Sequence, residues 1–281
     1  MSVLENKIDF AVILSVTNAN PNGDPLNGNR PRENYDGLGE ISDVCIKRKI
    51  RNRLQDLGQC VFVQSDDRSE DGCKSLKDRA DAHKPFAEAV KKKDSDKARE
   101  EACSKWIDVR CFGQVFAFKG DDASIGIRGP VSLHPAFSIA PILVTSTQIT
   151  KSVNSVTGSK KSSDTMGMKH RVDFGLYVAY GSINCQLAEK TGFSEEDAEL
   201  IKETLRTLFE NDASSARPDG SMEVCKLYWW KHNCKSGQYS SAKVHRSLQI
   251  APKTDTPKSF SDYEITLTEL KDLQPEILDG V

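Results

Sequence analysis

Residues 9–25 read Asp9-Phe-Ala-Val-Ile-Leu-Ser-Val-Thr-Asn-Ala-Asn-Pro-Asn-Gly-Asp-Pro25. The first half, to Thr17, is dense in β-formers and predicts a central strand. The second half holds Asn-Pro, Asn-Gly and Asp-Pro steps. Each favours a turn, through side-chain bonds to the backbone or through positive φ. Polar, glycine-rich sequence then continues to Gly39. A loop of about 20 residues between two firm elements is unusual, and loops of that length often carry function.

Working outward, Ser42 predicts an N-cap, and Ile46, Ile50, Leu54 and Leu57 share one helical face up to Gly58. The other faces carry Lys47, Arg48, Lys49, Arg51 and Arg53 against the single acid Asp43. Val61–Val63 reads as a short strand. Residues 65–118 read as a helical insertion, with helices over 85–93 and 95–107. Residues 120–129 read as a flexible glycine-rich stretch. Strands over 144–153 and 172–187 bracket a basic segment, which predicts a long protruding hairpin. Ser194 caps a helix with Asp197 at its third position, and strands follow over 223–231 and 260–270. Without the insertions the order is βαββαβ. The predicted fold class is therefore α+β, with a ferredoxin-like or RRM-like core. The chain reads as one domain, 1–281, with an insertion at 65–118, a hairpin arm at 144–172 and an acidic extension at 250–281.

Lys and Arg total 39 and Asp and Glu total 41 in 281 residues, a formal charge of −2. That excludes a blanket polycation but not a basic patch. No segment has the run of apolar residues that a membrane span needs. Ile8–Val16 contains Asp9 and lacks a basic flank, so it reads as a strand and not as an export signal. The eight cysteines include no Cys-x-x-Cys pair, and the expectation is reduced thiols and a cytoplasmic protein. Cys225, His232 and Cys234 lack the paired spacing of a zinc site, so no metal or other cofactor is expected. Walker, dinucleotide-binding and nucleophile-elbow motifs are absent from the sequence.

Six blocks now stand in order: Asn20-Pro-Asn-Gly-Asp-Pro25, Asp43-Val-Cys-Ile-Lys-Arg-Lys-Ile-Arg-Asn52, Asp108-Val-Arg-Cys-Phe-Gly113, Arg128-Gly-Pro-Val131, Met166-Gly-Met-Lys-His170 and Gly175-Leu-Tyr177. Together they resemble the backbone subunit of CRISPR surveillance complexes, the Cas-seven family. Within it the resemblance is to the type I-C, Csd-two-like branch. The resemblance implies an RRM-like palm with helical fingers and a hairpin thumb. It implies a non-catalytic subunit that polymerises head to tail along a CRISPR RNA in a helical filament. Thumbs would fold over the RNA and kink it, leaving bases free to pair with target DNA in antiviral defence. The implied partners are CRISPR RNA, target DNA through the guide, further copies of the chain and other Cascade subunits, with no membrane.

Sequence-neutral RNA binding needs cations on phosphates. The candidates are Lys47, Arg48 and Arg51 on the first helix, Arg128 in its glycine-flanked loop, and Lys160, Lys161, Lys169 and His170 on the arm. Met166 and Met168 are candidates to wedge against bases. Asn20 and Asn22 offer amides to phosphate or ribose. Asp108 and Arg110 read as internal ion-pair or capping residues. The alternative is an RRM-like ribonuclease using a loop aspartate, with Asp24 and Asp36 in the right region. Residues 186–212 carry eight acids against three bases, and 255–281 carry seven against two. These are candidates for contact with a basic surface of the next copy.

Overall fold

The computed structural model describes residues 2–118, 124–151 and 166–281. The chain begins with β1 (Ile8–Ala19), β2 (Gly23–Asp24), β3 (Arg30–Pro31), β4 (Leu38–Ile41) and α1 (Asp43–Asp56). Four helices follow: α2 (Leu76–Ala82), α3 (Lys84–Lys91), α4 (Ser95–Lys105) and α5 (Ile107–Phe112). Next come β5 (Gly113–Phe116), β6 (Ile125–Arg128), β7 (Val131–Leu133), β8 (Ala136–Pro141), β9 (Val144–Thr150) and the long β10 (Met166–Ile183). The last third holds α6 (Cys185–Thr191), α7 (Glu195–Arg206), β11 (Met222–Lys231), α8 (Ser241–Ser247), β12 (Leu248–Pro252), β13 (Tyr263–Leu267) and β14 (Glu276–Asp279).

The architecture is mixed α/β around a large antiparallel sheet, in the order β14-β11-β1-β10-β8-β4. Short strands β7 and β9 pair with opposite ends of β10. β1 is the central strand its composition predicts, and its alternating side chains feed two cores. Phe10, Val12, Leu14 and Val16 face a core shared with Ile46, Ile50 and Leu54 of α1 and Ala198, Ile201 and Leu205 of α7. Ala11 and Ile13 face the opposite core, which is covered by Val244, Leu248 and Tyr263. A third, aromatic core holds the helical insertion together around Phe62, Phe86, Trp106 and Phe116.

Local signals mostly hold. Ser42 Oγ accepts the Cys45 N–H at 3.3 Å, and Ser194 with Asp197 forms a reciprocal capping box. Three expectations need correcting. Val61–Val63 is not a strand: the Phe62 and Val63 amides donate to the Asp108 carboxylate at 2.6 and 3.1 Å, which replaces a ladder partner. Ile125–Arg128 is a strand, because Ile125 and Ile127 turn inward and the segment pairs with β5. β10 begins at Met166 and stops at Ile183, since Asn184 Oδ1 takes the Leu187 N–H at 2.9 Å and starts α6.

A polar cluster lies on the C-terminal side of the sheet. The fully buried Asp9 carboxylate meets His232 Nε2 at 2.8 Å and Lys7 Nζ at 3.0 Å. Burial alone would push Asp9 up, but hydrogen bonds from His232, Ser241 and Lys7 hold it below the ordinary aspartate value. His245 Nε2 lies 3.1 Å from Gly181 O, and its ring stacks on Tyr180 and meets His134 edge-on. Burial pulls His245 below its ordinary value of 6.5. In the unfolded chain His245 takes up a proton as pH falls through that value, while the folded chain resists. Stability is therefore full above about pH 6.5 and declines below it, with Asp9 adding acid sensitivity only in the carboxylate range. Melting temperature should fall as pH drops from 7 to 5, and His245→Gln should flatten that fall. His83, also lowered by burial, adds to that fall with the same sign. An unchanged profile in the variant would remove His245 from this account.

Candidate nucleic-acid interface

The asparagine-rich loop and the arm meet at one end of the sheet. Register pairing puts Thr17 opposite Phe174 and Ala19 opposite Val172, so β1 runs into the loop beside the arm's base. Within the loop, Asn18 and Asn29 adopt positive φ of 53° and 60°, which asparagine tolerates better than most residues. Asn20 is buried, and its Nδ2 donates to Asn29 O at 2.7 Å. Asn22 Oδ1 accepts both the N–H and the hydroxyl of Ser42, at 2.9 and 2.8 Å. That pair ties the loop to the N-terminus of α1. Asp24 accepts the Leu26 N–H and lies 3.4 Å from Arg32, while Asp36 stays exposed. Leu26 and Tyr35 project fully into solvent.

The arm pairs β9 with β10, placing Met168 opposite Gln148, Lys169 opposite Thr147 and His170 opposite Ser146. Strand alternation gives it two characters. Met166, Met168 and His170 share one face, and both methionines are about half exposed. Lys169 and Arg171 share the other face, and both are exposed. Arg171 pairs loosely with Asp173 at 3.4 Å, and Lys169 has no partner among the described residues. Arg30 of β3 donates to Ser146 Oγ at 2.8 Å, and that oxygen also lies 2.8 Å from His170 Nδ1. The loop is thereby braced against the methionine–histidine face. Lys160 and Lys161 lie outside the described residues.

The α1 cations are engaged within the chain. Lys47 pairs with Asp43 at 2.9 Å in an i, i+4 bridge that leaves it partly exposed. Arg48 Nη1 donates to Val63 O at 2.7 Å, and burial, with Arg51 nearby, pulls its guanidinium below the ordinary value. Arg51 donates to the fully buried Asp108 carboxylate at 2.9 Å. Lys49 and Arg53 pair with Asp212 and Glu210. Lys47 and Arg51 both approach the ring of Phe112, at 6.0 and 5.3 Å. Arg110 holds Asp197 through two 2.8 Å bonds, an internal pair as expected.

Arg128 stands apart from the loop and arm. It is exposed on β6, beside α6, which follows the far end of β10. Ile183 lies eleven strand positions beyond Val172, about 36 Å at roughly 3.3 Å per residue. The structure therefore gathers Asn20, Asn22, Met166, Met168, Lys169 and His170 at one end and Arg128 at the other. Sequence reasoning missed Arg30 and Arg171 as site residues. Arg171 was legible from its alternation with Lys169. Arg30 was not, because its role depends on a contact 116 residues away.

These features define a class: a mixed α/β protein with a large antiparallel sheet, carrying a two-faced basic arm beside an asparagine-rich loop at one end of that sheet. Comparison with known proteins makes the class specific. The family model for CRISPR-associated protein Cas7 matches residues 6–268, so the chain belongs to that family. A curated CRISPR-associated protein Cas7 from Haloferax volcanii is 24% identical over 98% of this chain and 85% of its own length. A chain of a CRISPR RNA-guided surveillance complex in its pre-nicking state shares the fold. Its TM-score is 0.50 at 17% identity, covering 84% of this chain and 81% of that one. No helix among the described residues is long and apolar enough to cross a membrane.

Proposed function

We propose that this chain is a non-catalytic backbone subunit of a cytoplasmic CRISPR surveillance complex, of the type I-C, Csd-two-like branch. It binds the guide RNA through the sugar–phosphate backbone, repeats head to tail along it and presents its bases to target DNA. The observation that carries this reading is family membership across nearly the whole chain. The sheet order β11-β1-β10-β8, with α1 and α7 packed on one face, supports a ferredoxin-like palm. α2–α5 then correspond to the fingers, β9–β10 to the thumb and 250–281 to an acidic extension. Glu276 and Asp279 already pair with Lys202 and Lys226, Asp262 accepts the Lys258 and Ser259 amides, and Glu269 accepts from Gln274, which leaves Asp255, Glu264 and Asp272 for a neighbouring copy.

In this reading Lys169, with Lys160 and Lys161, neutralises phosphate on the arm. His170, Met166 and Met168 meet ribose and base edges, and Asn20 and Asn22 hold the loop in place beside them. Lys47 is the α1 cation best able to reach RNA, because an exposed i, i+4 pair is worth only about 0.5 kcal/mol and yields readily to a phosphate. Arg48 and Arg51 support it from behind, and Arg128 supplies a contact at the far end of the sheet. Purification should bring down RNA that nuclease trims to regular increments, and incubation of the protein with labelled RNA and Mg2+ should leave the label intact. A nucleic-acid-free monomer would overturn the scaffold reading. Cleavage abolished by Asp24→Ala or Asp36→Ala would replace it with a ribonuclease.

A further inference from the structure

The sequence holds two Asn-Gly steps, Asn22-Gly23 and Asn27-Gly28, both in the asparagine-rich loop. An asparagine before glycine is open to ring closure. The glycine nitrogen can reach the carboxamide carbon, because no Cβ shields it and its backbone turns freely. The structure treats the two steps oppositely. Asn22 is half-buried, and its Oδ1 accepts the Ser42 N–H and hydroxyl at 2.9 and 2.8 Å, which pins the carboxamide to the start of α1. Gly23 is held in the β2–β3 ladder, where a Cβ would collide with Asn29 Oδ1. Asn27 ends a single exposed turn, Pro25–Asn27, and its carboxamide faces water with no hydrogen-bond partner among the described residues. Gly28 follows at a left-handed φ of 57°, exposed, with open space where a Cβ would stand.

We propose that Asn27 is a site of spontaneous deamidation, that Asn22 is protected from it, and that conversion of Asn27 weakens anion binding at this end of the sheet. The Gly28 nitrogen loses its proton to base and bonds to Asn27 Cγ, and the carboxamide nitrogen takes up a proton and leaves as ammonia. Water then opens the cyclic imide. Opening at one carbonyl gives aspartate, and opening at the other gives isoaspartate, whose backbone runs one carbon longer through the side chain. One water is consumed, one ammonia is released, and a neutral side chain becomes a carboxylate. Position supplies the consequence. Asn27 is three residues from Arg30, so their Cα atoms lie within about 11 Å. Arg30 donates to Ser146 Oγ at 2.8 Å and so braces the loop against the arm beside His170. A new carboxylate there repels an anion on the arm, over the roughly 8–10 Å that physiological salt allows. Isoaspartate also lengthens the backbone between Asp24 and Arg30, whose pairing closes the loop. The modification stands on the loop alone, and its effect on binding rests on the RNA-binding reading above.

The test incubates the full chain at neutral pH and physiological temperature and follows the loop peptide by mass spectrometry, where each conversion adds the difference between an amide and an acid. Conversion is expected at Asn27 with Asn22 unchanged over the same period. Its rate should rise with pH, because the attacking nitrogen must first lose its proton. Isoaspartate among the products, detected by enzymatic methylation of its carboxylate, separates ring opening from direct hydrolysis. Equal conversion at the two asparagines overturns the proposal. So does an intact Asn27 when the same chain in denaturant converts at both. Asn27 is exposed, so Asn27→Asp should fold normally. It should bind single-stranded RNA about threefold more weakly at physiological salt, the scale of one exposed charge pair, while Asn27→Gln binds as the parent does. Unchanged affinity in Asn27→Asp overturns the effect on binding and leaves the RNA-binding reading intact. A parent chain that binds no RNA overturns that reading and the effect together.

Discussion

Replacing Asp108 with alanine is expected to destabilise the fold by about 3 kcal/mol, seen as a melting point roughly 6–10 °C lower. The carboxylate is fully buried and accepts three donors: the Phe62 and Val63 amides and Arg51 Nε. Truncation leaves a mostly buried guanidinium and a buried amide without partners, and each such loss carries its own desolvation cost. Asp108→Asn should cost less, since its oxygen still accepts from one amide. Arg51→Met on the alanine background should restore part of the stability, because it removes the orphaned charge. A melting point within a degree of the parent would show that the 60–64 segment is anchored by its aromatic packing alone. The bond joins α1 to the helical insertion, so its removal should also raise hydrogen exchange across residues 60–64 before the sheet opens.

That bond marks the limit of what the sequence could reveal. The apolar run of β1, the Ser42 cap and the Ser194–Asp197 box are local patterns, read within a few residues, and each forms as expected. The arm was legible too, because a basic polar segment between two β-rich runs has few other solutions. Long-range polar pairing was not. The five cations of α1 look alike along the sequence, yet Lys49 is buried against Asp212, Arg51 against Asp108, and only Lys47 rests on a partly exposed local pair. Their partners lie 163 and 57 residues away for the first two. Helical periodicity carries no information at that range. The strand expected at Val61–Val63 failed for the same reason, since a distant carboxylate took the amides that a neighbouring strand would have used.

The same distinction sets the design of the RNA-binding experiment. Lys169→Ala with Arg171→Ala should reduce affinity for single-stranded RNA roughly tenfold at physiological salt and lower the salt slope by about 1.4, at about 0.7 for each phosphate no longer neutralised. Both side chains are exposed on one face of the arm, and neither has a buried partner, so the fold should be unaffected. Lys47→Ala should lower the slope by about 0.7 with a stability change below about 0.5 kcal/mol, since its bridge to Asp43 is a local surface pair. Arg51→Ala cannot be read the same way, because it also leaves Asp108 open to the penalty above. The reductions should be equal for RNAs of different sequence, because phosphates are the same in all of them. If the arm variant binds some sequences normally and others weakly, the arm reads bases. If affinity falls without any change in slope, these side chains act by shape and not by charge, and the phosphate path must be sought on another surface.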